Sequence, residues 1–340
     1  MAYQRVSTPK FYMDIGLFAR HHGIATFDFV EYEPYFKLNP AKSKSLTLSG
    51  SSGNTGYAGF VLKLPIGWVN TLQYMAVLGH KFFDIPDFKF QIKTDFNSTD
   101  SFDYITSVST VNCSPTGDYF TAPANGYSLI RFKNPSEQNN QVKINFAGNG
   151  GTTFNIGDVS AGWIFEMPHS PDLSLKLSYQ NESISTQTTK GGHSLSNSGW
   201  SEAPDWLGLP QWMTQDPADG ITNFKGMMPS TRRSWDLSFS FLNDTDLLNN
   251  KYPGDTRGQK GIMQGFKPLF GDDTFKFNGI KDNFFSKCWM GSANGKLPFI
   301  FQPDKDVDEF AICKFNTDSF TLNQVANNVY DVSVSLTEIW

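Results

Sequence analysis

The chain has 340 residues, which at roughly 100–200 residues per domain predicts about two domains, each large enough for its own core. Its 28 Lys and Arg against 33 Asp and Glu leave a net charge of −5, which argues against a protein that coats nucleic acid. Charged residues make up only 18%, while 31 Phe lift the aromatic share to 15%. With many glycines and prolines as turn formers, this balance favours an all-β protein over a helical one, and a hydrophobic content of 39% excludes global disorder.

Three cysteines, Cys113, Cys288 and Cys313, cannot all pair within one chain, and no CxxC spacing occurs. That excludes a zinc ribbon and a thioredoxin-type redox motif, and predicts buried thiols kept reduced until assembly. The opening MAYQRVSTPKFYMDIG lacks the charged start and apolar run of a secretory signal. No run approaches the ~18 apolar residues of a membrane span. The Asn-x-Ser/Thr triplets at Asn97, Asn181 and Asn243 therefore carry little weight as glycosylation sites.

Residues 1–44 are expected to form an N-terminal arm. Within it Pro9 could open a helix capped by Ser7 or Thr8, with Phe11, Ile15 and Phe18 on one face and Gly23 as the stop. The alternative is an extended arm packed on a neighbour. Ser43 to Gly59 reads as a Ser/Gly/Thr-rich loop, and β signals begin at Phe60. Leu72, Tyr74, Ala76 and Leu78 alternate. In Phe88 to Lys93 the apolar Phe88, Phe90 and Ile92 alternate strictly with Lys89, Gln91 and Lys93. Residues 94–126 read as a long excursion. Strands resume at Tyr127–Phe132, Val142–Phe146 and Ile156–Phe165, with a tight turn at Asn149-Gly150.

The second half repeats an Asp-apolar-Ser-apolar pattern at Pro171–Ser178, Trp235–Phe241 and Tyr330–Leu336. Period-two alternation then predicts burial of Leu173, Leu175, Leu177, Trp235, Leu237, Phe239, Val332 and Val334 on one face. Convergent strand patterning explains the repeat better than duplication does. Asn278-Gly279 and Asn294-Gly295 read as hairpin turns. Residues 199–230 form a long irregular insertion with Trp200, Trp206 and Trp212, the kind of segment that serves function or partner contact.

No GxSxG elbow, HExxH helix, P-loop or complete GxGxxG occurs, and Gly148-Asn-Gly-Gly is only a fragment of a glycine motif. The five histidines have no partner at metal-ligand spacing except the adjacent His21 and His22, whose side chains diverge in a strand. Asp304, Asp306 and Asp308 begin like a calcium loop. However, the sixth position is Glu309 where an EF-hand needs Gly, and the twelfth is Phe315 where it needs Glu. A solvated hairpin tip between 297–301 and 310–315 fits better, so these three are weak metal candidates. A distant carboxylate pair of the retaining-glycosidase kind leaves no local motif. The three tryptophans suit subunit contact or gap filling better than sugar stacking. The chain is therefore expected to be non-enzymatic, with no cofactor.

Two resemblances follow from these residues. The run Leu72–Lys81 (LQYMAVLGHK), then Phe88–Ile92, Tyr127–Phe132 and Phe154–Trp163 resemble strands of galactose-binding-like (discoidin-type) jelly rolls, with Lys81 where those domains carry Asn. The resemblance covers about residues 45–168, and implies a sandwich whose end loops hold carbohydrate in some members and proteins in others. In the second half, Met167–Ser174, Thr189–Asn197, Arg232–Ser240, Pro298–Asp304 and Tyr330–Trp340 look like virion structural proteins of marine tailed bacteriophages. This implies a tail or tail-tip block assembled as a ring or trimer.

Together these predict an all-β chain: the 1–44 arm, a jelly roll over 45–168, and a second β-sandwich over 169–340 carrying the 199–230 insertion. The expected role is structural, in a virion assembled in the host cytoplasm. Expected partners are further copies, other virion proteins and a host-surface glycan, with no nucleic acid and no membrane span. A head decoration protein, or a free glycan-binding or glycan-hydrolysing protein, is the alternative.

Overall fold

The computed structural model describes residues 7–23, 26–27, 37–38, 44–64, 72–80, 82, 85, 87–95, 103–104, 109–110, 114–116, 119–121, 126–131, 141–173, 176–181, 184–198, 231–247, 283–316 and 319–339. The first elements are β1 (Lys10–Asp14), α1 (Ile15–His21), β2 (Thr26–Phe27), β3 (Lys44–Thr47), β4 (Thr55–Lys63), β5 (Tyr74–His80) and β6 (Lys89–Asp95). Short strands follow: β7 (Asp103–Tyr104), β8 (Ser109–Thr110), β9 (Ser114–Thr116) and β10 (Tyr119–Thr121). Then come β11 (Gly126–Arg131), β12 (Gln141–Asn149), β13 (Thr153–Ile156), β14 (Asp158–Glu166), β15 (Lys176–Asn181), β16 (Ile184–Thr188) and β17 (Ser194–Ser198). The last are β18 (Thr231–Asn243), α2 (Asp244–Leu247), a π-helical segment (Phe285–Met290), β19 (Phe299–Gln302), β20 (Ala311–Phe315), β21 (Leu322–Ala326) and β22 (Val329–Glu338).

The protein is all-β, with several sheets and sandwich-like packing. The larger sheet has 11 strands in the order β15-β18-β22-β20-β19-β1-β14-β5-β11-β8, with β21 added on β22. A 7-stranded sheet runs β2-β4-β12-β6-β10-β9, with β7 on β6. Two further pairs, β3 with β13 and β16 with β17, stand apart from these two sheets. Phe90, Ile92, Ile144 and Phe146 of the smaller sheet share one core with Met75, Val77, Val159 and Ala161 of the larger. Rings fill the space between: Phe82 lies 4.4 Å from Phe88, and Phe88 4.8 Å from Phe154, centroid to centroid.

Period-two patterning is realised in β18 and β22, whereas Gln91 of β6, expected to face outward, is buried. Trp235, Leu237, Phe239, Val332 and Val334 are all buried. Ser238 and Ser333 face each other on the opposite side, 3.3 Å apart. Leu177 is partly buried against the core, but Leu173 is fully exposed, contrary to expectation. β15 starts only at Lys176, so Leu173 precedes the register that would have turned it inward. Leu175 lies outside the described residues. At Phe241 a register shift in β18 and a left-handed φ of 60° turn the ring to solvent and bring Leu242 inside instead.

The N-terminal segment differs most from expectation. Lys10–Asp14 is neither helix nor peripheral arm; it is a central strand paired with β14 on one side and β19 on the other. The helix begins six residues later than its expected Pro9 start, at Ile15. Asp14 caps it by accepting from the Leu17 backbone N–H at 2.7 Å, and the chain turns at Gly23 with φ 69°. Because β1 joins β14 to β19, the larger sheet runs straight through the boundary expected at 168/169. Turn chemistry marks where strands end; it does not say which strands pair.

Three other differences are local. β3 and the start of β4 occupy part of the 43–59 stretch read as loop, and β7 to β10 lie within the 94–126 excursion. Asn294-Gly295 closes the turn after the π-helical segment and does not join two strands. Cys288 and Cys313 are fully buried; Cys113 and Asn278-Gly279 lie outside the described residues.

At Gly162 the sheet leaves no room for a side chain, since a Cβ there would lie 1.8 Å from the Met13 carbonyl oxygen. Gly162→Ala should therefore destabilise the protein by about 3 kcal/mol in chemical denaturation, and an unchanged midpoint would contradict this register. Phe239→Ala, which empties a fully buried site, should cost about 3–5 kcal/mol in the same assay.

Candidate functional site

The described residues form an open cleft of about 570 Å³ at one end of the smaller sheet. β4 and β12 pair along their whole length, from Lys63 and Gln141 down to Thr55 and Asn149. Two glycine-rich turns therefore meet where both strands end. The Gly150 N–H donates to the Asn54 carbonyl at 2.7 Å, and the Gly151 N–H to the Leu48 carbonyl at 3.0 Å. The Asn149 side-chain oxygen accepts from the Gly53 N–H at 2.8 Å, so its amide NH2 is what this side chain can offer a ligand. At Gly150 a Cβ would sit 2.6 Å from the Ser51 carbonyl, which is why this close approach requires glycine.

The third wall is formed by Ile85, Asp87 and Lys89. The Ile85 N–H donates to the Phe82 carbonyl at 3.1 Å. Asp87 follows in a left-handed conformation with φ 56°, exposed on the cleft beside Lys89. Amide, hydroxyl, carboxylate and ammonium groups thus line one shallow depression, with Ile85 as its apolar patch. Such a surface hydrogen-bonds a polar ligand. Among the described residues its titratable groups are one carboxylate, Asp87, and one ammonium, Lys89, beside the hydroxyls of Thr55 and Thr152.

His80, at the end of β5, supports that wall from below. The Phe82 N–H donates to its Nδ1 at 3.3 Å, so Nε2 carries the proton and donates to the Ser128 hydroxyl at 2.8 Å. The imidazole stacks on Phe82 at 3.9 Å, and burial pushes its pKa down to about 3. The Gly-His pair that ends β5 is thus a neutral brace under the cleft wall.

Of the residues singled out from sequence, Trp200, Trp206 and Trp212 lie outside the described residues. Asp304, Asp306 and Asp308 sit in the hairpin tip between β19 and β20. Asp304 is buried and accepts from the Asp306 N–H at 3.0 Å, while Asp306 and Asp308 are exposed. Among the described residues no three His, Cys, Asp or Glu side chains come together as a metal site. The cleft itself was missed: Asn149-Gly150 was legible as a turn, but its meeting with residues 50–54 depends on the β4–β12 register.

A second polar cluster lies inside the larger sheet. Tyr12 donates to Gln302 Oε1 at 2.7 Å and accepts from Arg131 Nε at 2.9 Å. Tyr74 and Ser160 share a 2.8 Å hydrogen bond. Nearby, Asp14 is buried, with Oδ2 lacking a hydrogen-bond partner. Burial pushes its pKa up to about 6 against the opposing pull of the Leu17 N–H.

The sign of that shift is testable. A carboxyl that binds its proton more tightly in the folded state opposes folding when ionised, and the penalty fades as pH falls through 6 toward 4. Asp14→Asn keeps the cap and removes the charge. It should stabilise the protein at pH 8 by about 1–3 kcal/mol, with the difference from wild type shrinking toward zero at pH 4. Denaturant titrations of both proteins across this range check it; a gap independent of pH would contradict it.

No family model matches the chain, and no curated protein sequence matches it. Among solved structures, a DUF4466 family protein from Parabacteroides merdae is 10% identical, with 88% of this chain and 98% of that chain covered, at a TM-score of 0.21. At that level of likeness, function has to be argued from this chain's own residues.

Proposed function

We propose that this chain is a non-enzymatic structural protein of a tailed-phage virion, a tail or tail-tip component that assembles from copies of itself. The observation that supports the reading is the continuous larger sheet, which holds β1 near the start and β22 near the end as internal strands. A block in which segments as distant in sequence as β1 and β22 share one sheet resists being pulled apart. In this reading the smaller sheet, with β5, β11 and β14 opposite it, is the galactose-binding-like jelly roll of residues 45–168, and 169–340 is a second sandwich grown onto its partner sheet. Particles reconstructed with this chain in the tail would support the reading; purified particles that lack it would overturn it.

The cleft favours a second activity on the same block, contact with a host-surface glycan. Asn54, Thr55, Asp87 and Asn149 present hydroxyl and amide groups and one carboxylate, which suit sugar hydroxyls. A glycan array with the full chain should yield ligands whose affinity falls about tenfold or more in Asp87→Ala and in Asn149→Ala. Turnover of a bound glycan would place the protein among hydrolases instead. Binding unaffected by both substitutions would remove the cleft as the site.

A further inference from the structure

Two register breaks meet at one corner of the larger sheet, on either side of β22. In β18 the break lies between Phe239 and Leu242 and leaves Phe241 78% exposed. In β21 it lies between Gln324 and Ala326 and leaves Val325 50% exposed. A bulge re-aims a side chain, and glycine is the residue that takes a left-handed position there without strain. This chain instead places phenylalanine there, at φ 60°. Its backbone is strained and its ring gains little from burial, so stability accounts for neither. Strain of this kind points to a use for the side chain that it aims. Carboxylates flank the ring. Asp331 of β22 accepts from the Phe241 N–H at 3.2 Å, and Asp172 accepts from the hydroxyl of the preceding Ser240 at 2.7 Å. Leu173, next to Asp172, is fully exposed. Among the described residues neither carboxylate has a Lys or Arg within ion-pair distance. Lys176 lies opposite Asp236, five residues back along β18 from Phe241.

We propose that this corner docks a cationic segment of another protein, with Phe241 as the apolar anchor and Asp172 and Asp331 meeting its Lys or Arg side chains. Aromatic side chains are enriched among interface anchors, and charges around an anchor select the partner by sign. A second copy of this chain is the wrong occupant, because a two-fold contact here would set the same carboxylates against each other. The backbone that carries the anchor is already held, by the Asp331 bond on one side and the Ser240–Asp172 bond on the other. The partner therefore does not spend binding free energy ordering it. The assignment is independent of the cleft, which belongs to the smaller sheet.

Two measurements on the full chain test this. In chemical denaturation, Phe241→Gly should leave the midpoint equal to that of the wild type or raise it, since glycine adopts this backbone conformation without strain. A lowered midpoint would make the ring structural and overturn the assignment. The second measurement uses an array of synthetic peptides in which one apolar residue is flanked by Lys and Arg, by Asp and Glu, or by Ser alone. The chain should bind the cationic set, and more weakly as salt rises. Phe241→Gly should weaken that binding about tenfold, and Asp172→Asn combined with Asp331→Asn by about as much. Equal binding to all three sets, binding to none, or cationic binding unmoved by Phe241→Gly would overturn the proposal. So would self-association of the chain that Phe241→Gly abolishes, which would assign the corner to a second copy. Glycan binding abolished by the same variant would make it a sugar site and overturn the proposal equally.

Discussion

The fold depends on five residues near the start of the chain. β1 hydrogen-bonds to β14 on one side and β19 on the other. Without it, strands from the two halves would form two separate sheets. The fit is tight on both faces. Phe11 and Met13 belong to the core that faces the smaller sheet, and Tyr12 to the apolar cluster on the far face. Phe11 alone lies within 5.2–5.8 Å of Phe284, Phe299 and Phe301, ring to ring. Inserting a strand of such long sequence separation carries a large loop-closure cost, which this dense burial on both faces offsets.

Burial on both faces has a consequence for polar groups. Central strands such as β19, with the sequence FIFQ, are buried at every position. A polar side chain there must find its partner inside the protein. Gln302 does so completely: its oxygen accepts from Tyr12 and from Arg131 at 3.0 Å, and its nitrogen donates to the Val307 carbonyl at 2.9 Å. Arg233 is the same solution with charge. It donates to both oxygens of Glu338, to Glu309 and to the Phe310 carbonyl, and its guanidinium lies 5.2 Å from the Trp235 ring. It ties the last strand to the hairpin tip that follows β19. Asp14 belongs to this buried set as well, but its second oxygen goes unsatisfied, so its charge costs stability.

How much of this was legible in the sequence follows from the kind of signal each element carries. β5 is apolar throughout Tyr74–Leu78 and buried on both faces, and β6 buries Gln91 beside Phe90 and Ile92, but β18 and β22 alternate strictly enough to give both strand and inward face. β1 does not. Phe11, Ile15 and Phe18 satisfy a helical spacing, while Phe11 and Met13 satisfy a strand, and the switch between the two falls at Asp14 through a side-chain cap. The π-helical segment Phe285–Met290 has the run FSKCWM, apolar without a 2.0 or 3.6 period, so no pattern marks it. Its position is fixed by tertiary contacts: Trp163 Nε1 donates to the Lys287 carbonyl at 3.0 Å, and Lys287 Nζ donates to the Ile164 carbonyl at 3.1 Å. Phe241 defeated the alternation rule because one bulge inverts every side chain beyond it. The cleft was illegible for a related reason. Its turns can be read one by one, but their meeting is a property of strand register.

That dependence on register links the rigid part of the molecule to the parts that can act. The cleft walls have little regular structure of their own, and exposed glycine-rich turns are ordinarily mobile. Here they are tied crosswise by the Gly150–Asn54, Gly151–Leu48 and Gly53–Asn149 hydrogen bonds. The third wall rests on His80, which is locked between Ser128 and Phe82 at the end of a strand of the larger sheet. Under the proposed glycan-binding reading, a ligand would meet donors already in place and spend little of its binding free energy ordering them. The register of β4 on β12 and the anchoring of His80 by the larger sheet thus hold the cleft walls in one arrangement.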